Sequence, residues 1–159
     1  MEVNACAGDA ESKGNGVFAV RSVRAGDTVL HSSAQSVSAE GRTNRTVQVA
    51  LRPQEVHINL DDVSSCLNHC CEPNTAPITN QLGAYDFIAL RDIARGDEIN
   101  FDYETTEWTV SISVPEGGCN CGAAGCRRDI KGGQFRSDLL ETYSEKLPDW
   151  VKNELDGGN

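Results

Sequence analysis

The chain has no run of about 18 apolar residues, so no membrane-spanning helix and no membrane partner are expected. Its first residues, MEVNACAGDAESKGNG, lack the basic start and apolar stretch of a secretory signal. A cytoplasmic or nuclear location is then the default, and thiols stay reduced there. Positive charge is scarce as well. Fourteen Lys and Arg face 24 Asp and Glu, a formal net charge of −10. Such a chain repels phosphate backbones, so direct nucleic-acid binding is not expected. A basic partner would be steered towards it. No internal repeat or low-complexity linker occurs. With 159 residues, 38% apolar and 24% charged, the chain suits one globular domain.

What is present reads as mainly β. Val17–Val23 and Thr28–His31 flank the turn Arg24–Asp27, a hairpin signal. Thr46–Leu51 and Val56–Leu60 alternate and are rich in β-branched residues, with Arg52-Pro53-Gln54 breaking between them. In the Cys66–Asn74 stretch that follows and just past it, Pro73 and Pro77 argue against long regular structure. Ala84–Leu90 and Glu98–Tyr103 read as two more strands around a turn at Gly96. Ser137 can cap a helix whose Leu139, Leu140, Tyr143 and Leu147 share a face; Pro148 ends it and Trp150 starts a second short one.

Cysteine is plentiful, and six of the seven fall in two clusters: Cys66, Cys70 and Cys71, then Cys119, Cys121 and Cys126, with Cys6 alone. A disulfide framework, a metal site and a catalytic thiol compete for them. An odd count in a reducing compartment disfavours the first. His69 adjoins Cys70 too closely for a nucleophile and its base, and His31 and His57 sit in no motif. The array CNCGAAGC, with glycines at 117, 118, 122 and 125, instead offers three soft ligands in a flexible backbone. A fourth would come from Cys66, Cys70 or Cys71. Four thiolates make a closed, structural zinc site with no open catalytic position.

Four stretches then resemble one family in order. Asn68–Asn74 (NHCCEPN) is similar to the N-H-S-C-x-P-N signature of SET-domain methyltransferases. Ala89–Tyr103 is similar to their A-x-R-D-I-x-x-G-E-E-L-x-F-D-Y segment, and Cys119, Cys121, Gly122 and Cys126 to the post-SET zinc motif. Lys13–Ala19 resembles the K-G-x-G-V-x-A opening. The resemblance covers about residues 13–135, and Thr105–Trp108 resembles compact, stand-alone members.

The resemblance implies a mainly β SET fold with a C-terminal pseudoknot, a post-SET zinc site and a short C-terminal helix. The division is a flexible N-terminus (1–12), a SET domain (13–114), a zinc segment (115–136) and a helical tail (137–159). It further implies S-adenosylmethionine as methyl donor, meeting the acceptor amine in a narrow channel. Asn15, Gly16 and Phe18 would line the cofactor, Asn68 and His69 would hold it largely through backbone groups, and Phe135 would cover the adenine. Tyr103 would be the active-site tyrosine, and Cys71 would join Cys119, Cys121 and Cys126 on zinc.

The expected activity is methyl transfer to a protein lysine, in a basic or histone-like substrate. Lysine ionises near pH 10.4, so neutralising it at pH 7 costs roughly 4–5 kcal/mol, which an apolar channel reduces. The sequence departs from the family at Ser65, Cys66 and Cys70, and residues 53–67 hold no second channel tyrosine. A small-molecule amine as acceptor, or a binding module without catalysis, is the alternative.

Overall fold

Among the residues that the computed structural model describes, 5–10, 14–43, 45–109 and 118–157, ten short strands form three sheets. In chain order they are β1 (Ala5–Asp9), β2 (Asn15–Ala19), β3 (Thr28–His31), β4 (Ala34–Val37) and β5 (Thr46–Ala50). They continue as β6 (Val56–Leu60), β7 (Asn68–His69), β8 (Thr75–Thr79), β9 (Tyr85–Ala89) and β10 (Glu98–Phe101). Two helices close the chain, α1 (Leu139–Tyr143) and α2 (Asp149–Asp156). Lys13 and Gly117, two members of the motifs quoted above, lie outside the described residues.

The sheets run β1-β2-β10-β7, β3-β9-β8 and β4-β6-β5. One pairing matters most for the site. β7 and β10 are parallel, with Asn68 opposite Asn100 and His69 opposite Phe101. Cys70 N–H extends the ladder to Phe101 O at 3.0 Å. The NHCC and NFDY stretches, some 30 residues apart, thereby lie side by side.

Val47 and Ile58 pair across the expected β5–β6 hairpin. The hairpin expected around Arg24–Asp27 does not form. Its turn is present, with Asp27 N–H on Arg24 O at 3.1 Å, but β2 and β3 belong to different sheets. The edge of β2 is taken by β10, and Val23 bridges Ile93 instead. Residues 5–9, expected within a flexible N-terminus, form β1 and pair along the whole of β2. Pro77 lies inside β8, which is tolerated because β8 is an edge strand and its missing N–H breaks no ladder.

Period-two burial builds the core. Val17 of β2, Phe87 of β9 and Ile99 of β10 are completely buried, each such side chain contributing about 1.5–3 kcal/mol by leaving water. A second cluster joins Leu139, Tyr143, Leu147 and Val151 to Ala76, against Trp108 and Trp150. Leu140 departs from the expected helical face and is 41% exposed. α1 is a single five-residue turn, and Leu147 reaches the core from the segment after it. Asp138, not Ser137, holds the N-cap position of α1, and its carboxylate grips Arg136 at 2.6 and 2.7 Å. Pro148 precedes the eight-residue α2, whose first amide donates to Thr79 Oγ1 at 2.9 Å.

Candidate active site and cysteine centre

The strand expected to reach Tyr103 stops at Phe101. Asp102 then caps a 3-10 turn over Tyr103–Thr105, accepting from the amide of Glu104 at 3.2 Å. This turn swings Tyr103 off the sheet and against β7. Its hydroxyl donates to Leu67 O at 2.8 Å, and its ring meets that of His69 edge-on at 5.3 Å. Burial, with the charges of Glu107 and Glu98, pushes the phenol well above its ordinary range. Tyr103 therefore stays a neutral hydroxyl.

Two recesses meet at this residue. A cleft of about 200 Å³ is lined by Asn15, Arg45, Ser65, Leu67, Asn68 and Tyr103. A second, tighter recess of about 40 Å³ is lined by Arg42, Arg45, Ser65, Leu67, Tyr103 and Glu107 among others, with Val47, Leu60 and Phe101 supplying apolar wall. Arg45, Ser65, Leu67 and Tyr103 border both. The first cleft is shaped by Asn68, whose Nδ2 donates to Asn15 O at 3.0 Å and to Glu98 Oε1 at 2.8 Å. Gly16 makes this approach possible, because a Cβ there would stand 2.7 Å from Ala10 Cβ and 3.0 Å from Glu98 Oε1. Asn74 braces the same loop. It exchanges amide bonds with Asn100 at 3.1 and 3.0 Å and donates to Glu98 O at 2.8 Å.

Cys71 lies two residues past β7, and the sulfur atoms of Cys71, Cys119, Cys121 and Cys126 all sit within 4.8 Å of one another. A tetrahedral zinc with bonds of about 2.3 Å spaces its sulfurs about 3.8 Å apart. The Cys71–Cys119 separation is 3.8 Å. Amide donors already point at the sulfurs, Cys71 N–H at Cys121 Sγ (3.5 Å) and Arg127 N–H at Cys71 Sγ (3.4 Å). Burial raises the Cys119 thiol to about 11 and opposes ionisation of Cys121, yet hydrogen bonds from Cys71 and Ala123 amides bring Cys121 down to about 6. The donor set fits a closed zinc site. Gly118 is needed for the tight path, since at φ +94° a Cβ would lie 2.5 Å from Arg128 O.

His69 links the two regions. Tyr103 N–H donates to its Nδ1 at 3.1 Å, so the ring proton sits on Nε2, which faces Cys71 Sγ at 3.2 Å. Burial, aided by Arg127 and Arg136, lowers this imidazole to about 4, against the opposing pull of Asp102 and Glu104. Behind it, the fully buried Asp102 accepts from Arg127 (2.7 Å), Arg136 (3.1 Å) and the Tyr143 hydroxyl (3.0 Å). Glu104 shares both arginines, at 2.9 and 2.8 Å, and accepts the amides of Lys131 and Gly132. These bonds fasten the cysteine-bearing segment to the turn that carries Tyr103.

Of the residues expected to bind a cofactor, Asn15, Gly16, Asn68 and Tyr103 come together at the cleft. Phe18 shares a strand face with Gly16, where its ring lies over Gly8, 3.2 Å from a Cβ built there. The His69 side chain turns away towards the cysteines, and Phe135 is 63% exposed on its own 3-10 turn. Cys70 is buried and outside the sulfur cluster, its thiol towards Glu72 O at 3.4 Å. Cys66 packs against the core edge and also lines the cleft. Sequence reasoning missed Arg42 and Arg45, which no motif marks, Glu107, which lies in the Thr105–Trp108 stretch but was given no role, and Asp102, whose role hides inside the FDY run.

A family model described as SET domain matches residues 14–104. A histone-lysine N-methyltransferase of Emericella nidulans, named as H3 lysine-4 specific, is 39% identical over 69 residues, 41% of this chain and 5% of that protein. The mouse protein named histone-lysine N-methyltransferase EHMT1 is 33% identical over 97 residues, 55% of this chain and 7% of its own length. The chain thus spans a small fraction of these relatives. Among solved structures, the methyltransferase domain of human histone-lysine N-methyltransferase SETMAR superposes with a TM-score of 0.63 at 17% identity, covering 83% of this chain and 59% of that one.

Proposed function

Since this chain belongs to the SET-domain family, its match running through residues 14–104, we propose that it is an S-adenosylmethionine-dependent methyltransferase acting on the side-chain amine of a protein lysine. The observation that carries the reading is the meeting of two recesses at Tyr103, one polar and beside Gly16 and Asn68, the other walled by Val47, Leu60 and Phe101. A transfer between two reactants needs that layout, because positioning accounts for most of an in-line displacement.

S-adenosylmethionine, when bound, supplies an activated methyl group on a sulfonium. Asn15, Gly16 and Asn68 would hold it in the polar cleft, with Phe18, the His69 backbone and Phe135 as further contacts. Tyr103 would orient the acceptor amine with its neutral hydroxyl, anchored through Leu67 O. Cys71, Cys119, Cys121 and Cys126 would hold a structural zinc that pins residues 118–136 beside the Tyr103 turn. We divide the chain into a SET core (13–114), a zinc segment (115–136) and a helical tail (137–159), and assign a nuclear or cytoplasmic setting. The H3 lysine-4 specificity named for the Emericella relative makes histone H3 the first substrate to try, and the net charge of −10 suits a basic tail.

The test is labelling. With radiolabelled S-adenosylmethionine, histone H3 or lysate protein should acquire methyl-lysine, and Tyr103→Phe should remove most of it. Cofactor binding accompanied only by labelled small metabolites would refute lysine methylation of proteins.

A further inference from the structure

Inside the apolar recess sits one carboxylate that the reading above does not use. Glu107 N–H donates to Tyr103 O at 2.8 Å, which sets its side chain one turn beyond the tyrosine in the same recess. It is 6% exposed. Its Oε1 accepts the Gln48 amide at 3.1 Å, while Oε2 faces Arg42 Nε at 3.2 Å without completing a hydrogen bond. Buried ion pairs stabilise a fold only when their remaining lone pairs are satisfied. This one leaves an oxygen short in a cavity that opens beside Tyr103.

Building on the lysine reading, we propose that Glu107 receives the acceptor: a primary ammonium on an apolar stem replaces the Arg42 guanidinium at Oε2. Arg42 has other partners to hold it. Its Nη2 already bonds Glu55 Oε1 at 2.7 Å and the Thr109 hydroxyl, and Glu55 is 40% exposed. Val47, Leu60, Leu67 and Phe101 suit a methylene stem better than a planar guanidinium.

Once the ammonium is seated, one of its N–H bonds breaks and an O–H bond forms on Glu107 Oε2. A neutral acid beside a neutral amine suits this apolar space better than two charges. Burial supports that step by holding the Glu107 carboxyl up at about 7, against the pull of the Gln48 amide and Arg42. The freed lone pair takes the methyl as the donor's carbon–sulfur bond breaks, and Glu107 later returns its proton to water. The charged and titratable groups around Glu107 are Arg42 and Arg45 ahead of β5, Glu55 ahead of β6, His57 of β6, which meets Glu55 at 2.7 Å opposite Gln48, Tyr85 of β9 and Tyr103.

The binding test uses the full chain with S-adenosylhomocysteine and two probes of equal size, n-butylammonium and n-butanol, titrated by NMR. The wild type should prefer the cation by about tenfold, the value of one charge-assisted contact. Glu107→Gln should erase the preference, and Arg42→Gln should strengthen cation binding by removing its competitor. Equal or absent binding of both probes by the wild type overturns the proposal, as does a preference that survives Glu107→Gln. Weaker cation binding in Arg42→Gln, a variant that leaves Glu107 in place, overturns it too.

Kinetics with the labelled lysine substrate add a second readout. Wild-type kcat/KM should level off above about pH 7, whereas in Glu107→Gln it should keep climbing about tenfold per pH unit towards the lysine's own ionisation. Parallel profiles would overturn the proton step. Cation preference without protein labelling would instead refute the lysine reading and leave the site standing.

Discussion

The backbone amide of Tyr103 donates to the side chain of His69 across a gap of 34 residues, at 3.1 Å. That bond fixes the imidazole tautomer and aims its other nitrogen at Cys71. It makes the His69 side chain a spacer between the sulfur cluster and the Tyr103 turn.

Replacing His69 with phenylalanine should keep the ring volume and strand the Tyr103 amide. An unmet buried donor costs about 1–3 kcal/mol. Urea denaturation should read that loss, and methyl transfer should fall with it because the Tyr103 turn loosens. Unchanged stability would show that the amide finds another partner.

Cys119→Ser should drop zinc below half an equivalent in metal analysis and lower the melting temperature. Structural zinc contributes on the order of 10 kcal/mol in small sites, so its loss should also expose the 118–136 segment to protease. Full zinc content in the variant would rule out a four-cysteine site.

Gly16→Ala should act on the cofactor more than on the fold. The added methyl would press Ala10 Cβ from 2.7 Å, and the amide of Ala10 is itself held by Gly14 O at 2.6 Å. The strain moves Asn68 Nδ2, 3.3 Å from the new atom. We expect S-adenosylhomocysteine affinity in calorimetry to fall at least about tenfold, or 1.4 kcal/mol.

Asp102→Asn removes one charge from beneath two arginines and should cost about 3–5 kcal/mol, as breaking a buried pair does. Tyr143→Phe, which deletes one hydrogen bond to the same carboxylate and leaves its charge paired with both arginines, should cost less, about 1.5–3 kcal/mol. Thermal melts of the two variants should rank in that order.

The stability difference between the wild type and Glu107→Gln should depend on pH. Folding raises the Glu107 carboxyl from 4.5 to about 7. The folded state then holds a proton that the unfolded state releases, so stability is lost as pH rises through that window. The wild type should lose about 3 kcal/mol more than the variant between pH 4.5 and 7. The thiols titrate in both proteins and cancel from the difference.

Much of this was legible in the sequence because motifs encode local requirements. The C-x-C-x4-C array and the NHCC and NFDY stretches lead to the sulfur cluster and the Tyr103 turn, and β5 and β6 follow from alternation. The misses share a physical origin. Whether β2 pairs with β3 or β10 depends on which edge is free, a tertiary fact that the Arg24–Asp27 turn cannot report. Glu107 and Arg42 sit 65 residues apart in chain numbering, and no periodicity links them.

The parallel pairing of β7 with β10 also sets an order in time. Asn68 meets Asn15 early, but residues 68–70 gain their strand partners only at 100–101 and Cys71 its own at 119–127, so the site cannot mature early. Contacts this distant slow folding. During synthesis, Cys71 must wait for 56 more residues before Arg127 can reach it. Until then its thiol is open to oxidation or to adventitious metal, and on the zinc reading proposed above, zinc supplied as the chain emerges should raise the yield of folded protein.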